Sequence, residues 1–262
     1  MITQKLEESI KLYQTGIPML KVCSTTGISF STLQRHLQQR GLSRSNKQNS
    51  RKYQVDHSYF NIIDSEDKAY WLGFLYADGY VSKRTKQKLT GCAIHEDDSP
   101  HLEKLKQSLK ATYPIKHYIS ISYGVRSPYA RLLITSDQLF DDLVKLGVVE
   151  HKSLVLQFPN QDQVPIRLAN HFIRGYFDGD GSFSKSHDGY TVKICGTKEF
   201  LNTLSEHIGF PNRNLTQRKK NGKNNYCLEI GGRLQVTIIG DYMYQNATIW
   251  MGRKHKRYLK NL

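Results

Sequence analysis

Two aspartates in this 262-residue chain, Asp78 and Asp180, each lie near the end of an apolar, aromatic decapeptide and are followed by glycine. The decapeptides span residues 70–79 and 172–181, and an apolar run that stops at glycine predicts a helix. Each helix would place its carboxylate at the C-terminal end, where the helix dipole is already negative. A divalent cation relieves the repulsion between two such ends, and Mg²⁺ commonly takes one or two carboxylates plus phosphate oxygens. The repeat therefore predicts a metal site where two helices meet.

Small residues four positions apart recur in both decapeptides, as Gly73 with Ala77 and Gly175 with Gly179. Residues four apart share one face of a helix, so each predicted helix has one nearly bare face. Two such helices can pack side by side with their backbones unusually close. We therefore expect two related, domain-sized halves joined along this seam, since a period this long does not suit a solenoid.

Each half is predicted to follow the order helix, two strands, helix, two strands, helix. The first repeat occupies residues 58–158 and the second occupies residues 159–262. In both, short segments that alternate with a period of two follow the Asp-Gly helix and flank polar turns. The predicted fold class is α+β, with two αββαββα units whose four-stranded sheets form a saddle of pseudo-two-fold symmetry.

The charge of the chain indicates what such a saddle binds. The 38 Lys and Arg outnumber the 23 Asp and Glu and give a formal net charge of +15, which predicts a polyanionic partner. Double-stranded DNA fits, because its strands are themselves related by two-fold symmetry. Basic turns at the rims of the sheets suit phosphates, and the DNA contacts predicted in the two repeats are Lys83, Arg84, Lys86, Lys219, Lys220, Lys223 and Arg233.

Other features of the composition argue against a membrane or a disulfide-rich secreted protein. No apolar run approaches the roughly 18 residues of a membrane span, and no signal peptide opens the chain. The four cysteines are far apart and form no Cys-x-x-Cys pair, which argues against zinc and against a disulfide framework. We expect a soluble intracellular protein with free thiols and no membrane contact.

Residues 1–42 are predicted to form a small all-α domain with a helix-turn-helix. The turn contains Gly27, and Ser29 is placed to cap a third helix over residues 30–39. This helix is expected to bury three apolar side chains: Phe30, Leu33 and Leu37. The run Gly-Ile-Ser-x-Ser-Thr-Leu resembles the DNA-binding domains of the resolvase and invertase recombinases.

The outward face of this third helix is polar, which suits base edges and phosphates in a major groove. The predicted contacts are Ser31, Thr32, Gln34 and Arg35. An ordinary three-helix cap with a polar surface is the alternative interpretation.

Residues 43–57 are rich in Ser, Asn, Gln, Arg and Lys, which predicts a basic linker. This segment either lies as a basic arm along a DNA groove, with contacts at Arg44 and Arg51, or serves as a solvated tether. The sequence favours neither.

The two nine-residue cores at 71–79 and 173–181 resemble the motifs of the LAGLIDADG homing endonucleases. The second continues as Gly-Tyr-Phe-Asp-Gly-Asp-Gly-Ser-Phe, a form similar to the second motif of single-chain members with two motifs. The resemblance covers residues 58–262 and includes the αββαββα order around each motif. It is specific because two motifs occur at this spacing with matching surroundings.

The resemblance implies a site-specific endonuclease that makes a double-strand break in a long DNA target and leaves short 3′ overhangs. It implies that Asp78 and Asp180 bind divalent metal shared near the pseudo-dyad, with Mg²⁺ favoured and Mn²⁺ as the alternative. The carbonyls of Ala77 and Gly179 are implied as further ligands. A monomer with internal pseudo-two-fold symmetry is expected.

The resemblance also implies a basic residue near the metal, late in each repeat. Lys152 follows Asp78 by 74 positions (152 minus 78), and Lys254 follows Asp180 by the same offset (254 minus 180). This match makes both lysines candidate catalytic residues, which would stabilise the pentacoordinate phosphate or polarise water. Two alternatives stay open: Lys254 as one phosphate-binding residue of a basic tail at 253–257, and Arg233 as the catalytic cation.

A non-catalytic function is the competing hypothesis. The same scaffold serves as a DNA-binding regulator or an intron maturase, and loss of either metal-binding acid would favour that function. Both Asp78 and Asp180 are present in this chain.

Overall fold

The fold is described from a computed structural model, which covers residues 2–15, 17–42, 52–84, 87–186, 189–218 and 223–260. The chain divides into two compact units, Met1–Gln54 and Val55–Leu262.

The first unit contains the three helices α1 (Ile2–Gln14), α2 (Met19–Thr26) and α3 (Phe30–Gln39). Gly27 ends α2 in the left-handed region, with φ +71, and the Ser29 hydroxyl caps α3 by accepting from the Thr32 N–H at 3.2 Å. The predicted cap is therefore confirmed. A small apolar core unites the three helices and comprises Leu6, Ile10, Tyr13, Val22, Ile28, Leu33 and Leu37.

The prediction that Phe30 is buried is wrong, because its side chain is 43% exposed. Phe30 is the first residue of α3, and helical side chains lean toward the N-terminus of their helix. Its ring therefore lies beyond the core that Leu33 and Leu37 fill. These two leucines are fully buried, as predicted.

The second unit contains two successive αββαββα repeats of mixed α+β structure, as predicted. The first repeat consists of α4 (Glu66–Ala77), β1 (Gly79–Arg84), β2 (Gln87–His95), α5 (Ser99–Ser108), β3 (Ile115–Ser122), β4 (Val125–Thr135) and α6 (Asp137–Lys145). The second consists of α7 (Ala169–Asp180), β5 (Gly181–Ser186), β6 (Gly189–Gly196), α8 (Lys198–His207), β7 (Leu215–Gln217), β8 (Tyr226–Gly231) and α9 (Arg233–Tyr244), followed by α10 (Gly252–Leu259).

Each repeat builds one antiparallel sheet of four strands among the described residues. The strand orders are β1-β2-β4-β3 and β5-β6-β8-β7, so the two sheets have the same topology. Side chains alternate between the two faces of a strand. On β6, Val192 and Ile194 are buried in the core, whereas Lys193 and Cys195 lie on the opposite, more open face.

The predicted linker extends too far toward the C-terminus, because the second compact unit begins at Val55. The Asp56 N–H donates to the Leu109 carbonyl at 2.8 Å, and His57 Nδ1 lies 2.7 Å from Ser136 Oγ. These contacts attach residues 55–57 to the first repeat.

The segment interpreted as a basic tail lies within a helix, α10. Lys254 and Tyr258 are four residues apart and both are buried, whereas Arg253, Lys256 and Arg257 are exposed. The helix is therefore amphipathic, and its many charges conceal the apolar spacing that Tyr258 shares with the stem of Lys254. None of the helices described here is long and apolar enough to cross a membrane.

Candidate active site

Helices α4 and α7 pack along the seam that the small residues predict. A Cβ atom added to Gly73 would lie 2.0 Å from the Phe172 carbonyl oxygen, and one added to Gly175 would lie 1.9 Å from the Tyr70 carbonyl oxygen. Each glycine thus faces the backbone of the other helix, which no larger residue would allow. The predicted close approach of the two backbones is confirmed.

The acid-bearing ends of the two helices lie together. Asp78 is the C-cap of α4, and Asp180 is the last residue of α7. A Cβ added to Gly179 would lie 2.2 Å from the Ala77 Cβ and 3.2 Å from Asp78 Oδ2. The seam therefore brings both carboxylates to the same end of the helix pair.

Burial raises the pKa of both carboxyl groups, and the proximity of the second acid adds to the rise at Asp78. Desolvation raises the pKa of Asp78 to about 6, and the negative charge of Asp180 adds to the rise. Desolvation also raises the pKa of Asp180, although this side chain keeps more contact with solvent than Asp78 does. Nearby lysines oppose both shifts. Two crowded carboxylates of this kind are common in catalytic sites.

Both predicted lysines lie beside these helix ends. Lys152, in the short 3₁₀ turn Lys152–Leu154, donates from Nζ to the carbonyls of Ala77 at 3.1 Å and Gly79 at 2.5 Å. Lys254, on α10, donates to the carbonyls of Phe177 and Gly179, each at 2.8 Å. The C-terminal end of a helix attracts cations, so each ammonium lies where the dipole of a motif helix is negative.

Burial lowers the pKa of both lysines, and that of Lys254 falls to about 8. An ammonium carries three N–H donors, and each lysine uses two of them on backbone carbonyls within the described residues.

The lysine of each repeat acts electrostatically on the aspartate of the other repeat. Among the cations that lower the pKa of Asp78, Lys254 acts most strongly, whereas Lys152 acts most strongly on Asp180. A cavity of about 160 Å³ is lined by Asp180 together with Ala77 and Lys152 of the first repeat. Lys152 of the first repeat therefore lies beside Asp180 of the second.

Arginines extend both sites, and sequence reasoning did not select them as site residues. Arg218 lines the cavity around Asp180, and Arg253 lines a more open cavity that contains Asp78 and Gly179. Arg253 also donates to Asp98 at 2.8 Å. The position of Arg218 just after β7 depends on the sheet, so no local pattern in the sequence reveals it.

The donor set fits a hard divalent cation. Asp78 and Asp180 offer oxygen atoms only, and a dication relieves the repulsion that raises the pKa of Asp78. The Ala77 and Gly179 carbonyls already accept from lysines, so a metal that used them would share these oxygens. No cluster of three or more His, Cys, Asp or Glu side chains able to hold a metal occurs in the residues that the structure describes. Water and substrate oxygens would therefore complete the coordination.

A buried polar network supports the second motif. Asp178 accepts hydrogen bonds from Tyr70 Oη at 2.7 Å, Tyr244 Oη at 3.1 Å and the Met251 N–H at 2.7 Å. This network joins α7 to α4 and to the segment that leads into Lys254. The three donors occupy Asp178, which therefore holds the helices in position.

Arg174 extends this support from inside the seam. Its guanidinium is fully buried, pairs with Glu66 at 2.7 Å and donates to the Met243 carbonyl at 2.7 Å. Sequence reasoning did not select Arg174. The signal it missed is a charged residue in an apolar helical run, which requires a buried partner.

The structure places the other predicted DNA contacts as follows. Ser31, Gln34, Arg35, Lys83, Arg84, Lys223 and Arg233 are exposed. Thr32 is half-buried, and its hydroxyl lies 2.7 Å from Ser29 Oγ. Five predicted contacts lie outside the described residues: Arg44, Arg51, Lys86, Lys219 and Lys220.

Asp78→Asn is expected to stabilise the metal-free protein above pH 6. In the folded protein the pKa of Asp78 is about 6, above the ordinary value near 4. Ionisation of Asp78 therefore lowers the free energy of unfolding as the pH rises through this window. The variant should gain about 2 to 3 kcal/mol over the wild type at pH 7.5 and almost nothing at pH 4. Urea unfolding at both pH values, with a chelator present, measures the difference. An equal gain at both values would contradict it.

Comparisons with known proteins agree with this architecture. The family described as LAGLIDADG-like domain matches residues 168–242, which span α7 to most of α9. No curated protein matches the chain in sequence.

Solved structures share the fold at low sequence identity. The homing endonuclease I-WcaI bound to its DNA recognition sequence is 14% identical, with a TM-score of 0.55 over 83% of this chain and 96% of that one. The LAGLIDADG homing endonuclease I-GzeII in complex with its DNA target is 10% identical, with a TM-score of 0.50 over 76% and 88% of the two chains. Residues 168–242 therefore match the model of a LAGLIDADG-like domain, and the chain shares its fold with these two homing endonucleases.

Proposed function

We propose that this chain is a site-specific homing endonuclease that makes a metal-dependent double-strand break in a long DNA target and leaves short 3′ overhangs. One observation carries the proposal. The seam between α4 and α7 holds Asp78 and Asp180 together at the ends of two helices, where burial and mutual repulsion raise the pKa of Asp78. Folding alone gives no reason to crowd two acids at the negative ends of helix dipoles.

The chain's own residues have distinct roles in this reaction. Asp78 and Asp180 hold divalent metal, with Mg²⁺ favoured over Mn²⁺, and the carbonyls of Ala77 and Gly179 are the further candidate ligands. Bound metal supplies activation of water and charge stabilisation at the leaving oxygen. Lys152 and Lys254 direct their remaining N–H donors at the phosphate that gains charge in the transition state.

The open faces and rims of the two sheets bind the DNA duplex, and a monomer suffices because the two repeats supply both halves of the site. The solved structures described above are bound to DNA, which supports DNA as the ligand of this fold. Lys83, Arg84 and Lys223 contact phosphates at the rims, and so do Lys86, Lys219 and Lys220. Arg233 joins them at the start of α9.

The decisive experiment incubates the full chain with Mg²⁺ and a randomised DNA library and sequences the ends that form. We expect paired ends with short 3′ overhangs from one long consensus, and no ends in the presence of a chelator. Selective retention of a DNA sequence without cutting would instead identify a DNA-binding regulator. Selective retention of intron RNA in a parallel binding assay would identify a maturase.

The three-helix unit extends the DNA contact in our proposal. The Gly27 turn and the Ser29 cap present the start of α3, where Ser31, Thr32, Gln34 and Arg35 form a polar, mostly exposed face. A helix of this kind enters the major groove with its N-terminal residues toward the bases. Arg44 and Arg51 would contact the DNA along its groove.

Removal of residues 1–54 is expected to weaken DNA binding by about 10- to 100-fold at moderate salt and to leave cleavage at raised protein concentration. Each lost phosphate contact should also reduce the salt dependence of the affinity by about one unit in slope. Titrations of labelled target DNA at several salt concentrations measure both. Arg35→Gln should reproduce part of the loss, whereas Lys11→Gln, a matched exposed change on α1, should not. Unchanged affinity of the truncated chain would rule out a DNA-binding role for this unit.

A further inference from the structure

Two cysteines that are far apart in the sequence meet on the second sheet. Cys195 on β6 and Cys227 on β8 are direct partners in the antiparallel register. Both are free and only partly buried. Directly paired residues project from the same face of a sheet, so the two thiols share the open face that also carries the Lys193–Glu229 ion pair.

The hydrogen-bond pattern makes this pair especially close. The Gly232 N–H donates to the Tyr190 carbonyl at 2.9 Å, which identifies 190 and 232 as a hydrogen-bonded pair in the same register. Such pairs alternate with non-hydrogen-bonded pairs along an antiparallel ladder. Cys195 and Cys227 therefore form a non-hydrogen-bonded pair, whose Cα atoms are about 4.5 Å apart. That separation lies within the range of a disulfide, about 4.4 to 6.8 Å.

The surroundings of the two sulfurs differ, and Cys195 is the one that lies beside a cation. Burial raises the pKa of Cys227 to about 11, and the adjacent, hydrogen-bonded Cys195 thiol adds to the rise. Arg218 Nη1 donates to Cys195 Sγ at 3.4 Å. The Arg218 guanidinium therefore lies directly beside the Cys195 sulfur.

The pair lies next to the candidate active site. Gly181 pairs with Ile194, so the register continues from Asp180 to Cys195, and both residues line the same cavity with Arg218. The corresponding partners in the first repeat are Ala93 and Arg131. The dithiol is thus a feature of the second repeat alone, where the first repeat places a cation.

We propose that Cys195 and Cys227 form a dithiol modification site that reacts with small-molecule disulfides and closes a cross-strand disulfide beside Asp180. The Cys195 sulfur attacks the small disulfide, forms a mixed disulfide and releases one small thiolate. The Cys227 sulfur then attacks Cys195 Sγ and releases the second. The two protein thiols give up two protons and two electrons, and the small disulfide becomes two small thiols.

The test treats the reduced full chain with oxidised glutathione and maps its cysteines by peptide mass spectrometry. We expect a Cys195–Cys227 disulfide in the wild type and in Cys23→Ser, a control cysteine in the other unit. Cys195→Ser and Cys227→Ser should each carry one glutathione on the remaining thiol. Separate glutathione adducts on both cysteines of the wild type, without a disulfide, would overturn the proposal.

A second measurement does not depend on oxidation. Phenylarsine oxide binds tightly only where two thiols bridge one arsenic, so one equivalent should protect both cysteines of the wild type from alkylation. Each single serine variant should bind it at least about tenfold more weakly. Equal binding by the wild type and both variants would show that the thiols act separately. Neither assay uses DNA, so failure here leaves the endonuclease proposal untouched.

Discussion

Asp180→Asn should reduce the rate of DNA cleavage by at least about a thousandfold and leave the affinity for target DNA within about threefold of wild type. The amide keeps the shape of the side chain but removes the charge that holds a divalent cation, and loss of the metal removes several kcal/mol of transition-state stabilisation. Asp78→Asn should behave in the same way, because the two acids occupy equivalent ends of α4 and α7. Single-turnover cleavage and equilibrium binding, measured on the same preparation, separate the two effects.

Asp162→Asn is the matched control, because Asp162 is an exposed acid in a turn outside α4 and α7. It should cut at the wild-type rate. Full cleavage by the Asp78→Asn, Asp180→Asn double variant would contradict the assignment of these residues to the metal. Loss of binding in parallel with cleavage would show instead that the acids organise the DNA-binding surface.

Gly175→Ala should destroy the folded second unit. The added Cβ would lie 1.9 Å from the Tyr70 carbonyl oxygen and 2.9 Å from the Phe74 backbone nitrogen. Both contacts are backbone atoms of α4, so no side chain can move aside and the two helices must separate. We expect a cost above about 4 kcal/mol, a large part of the total stability of a typical domain. Circular dichroism melts and the yield of soluble protein measure the loss.

Gly252→Ala provides the control on the same unit. Apart from its chain neighbours and the backbone of its own helix, no described atom lies within 4 Å of a Cβ at that position, which is the exposed first residue of α10. Its melting temperature should stay close to the wild-type value. A Gly175→Ala protein that melts within a few degrees of wild type would show that α4 and α7 do not pack in this way. The aspartate variants should remain folded. Packing of the motif helices through their glycines would then be separable from the role of their aspartates in cleavage.

Local patterns in the sequence determine the secondary structure and the positions of the two aspartates at the helix ends. A glycine four residues before another small residue marks a bare helix face, and the apolar runs that end in Asp-Gly mark where the carboxylates emerge. Because these signals depend only on the 3.6- and 2-residue periods of the backbone, they place Asp78 and Asp180 at the ends of α4 and α7 before any packing is known. Lys152 and Lys254 follow Asp78 and Asp180 by equal offsets, which agrees with the repeat of the two halves.

Tertiary packing decided which residues surround the two aspartates, because contacts between separate elements leave no periodic pattern in the sequence. It assigns Lys254 to the neighbourhood of Asp78 and Lys152 to that of Asp180, and it turns Asp178 inward to three hydrogen-bond donors. It also brings Cys195 opposite Cys227 through the register of β6 and β8. Each of these contacts joins residues from separate elements, and its geometry follows from how sheets and helices meet in space. The sequence by itself therefore determined that two acids would end two packed helices, whereas only the tertiary structure decided which cations and thiols surround them.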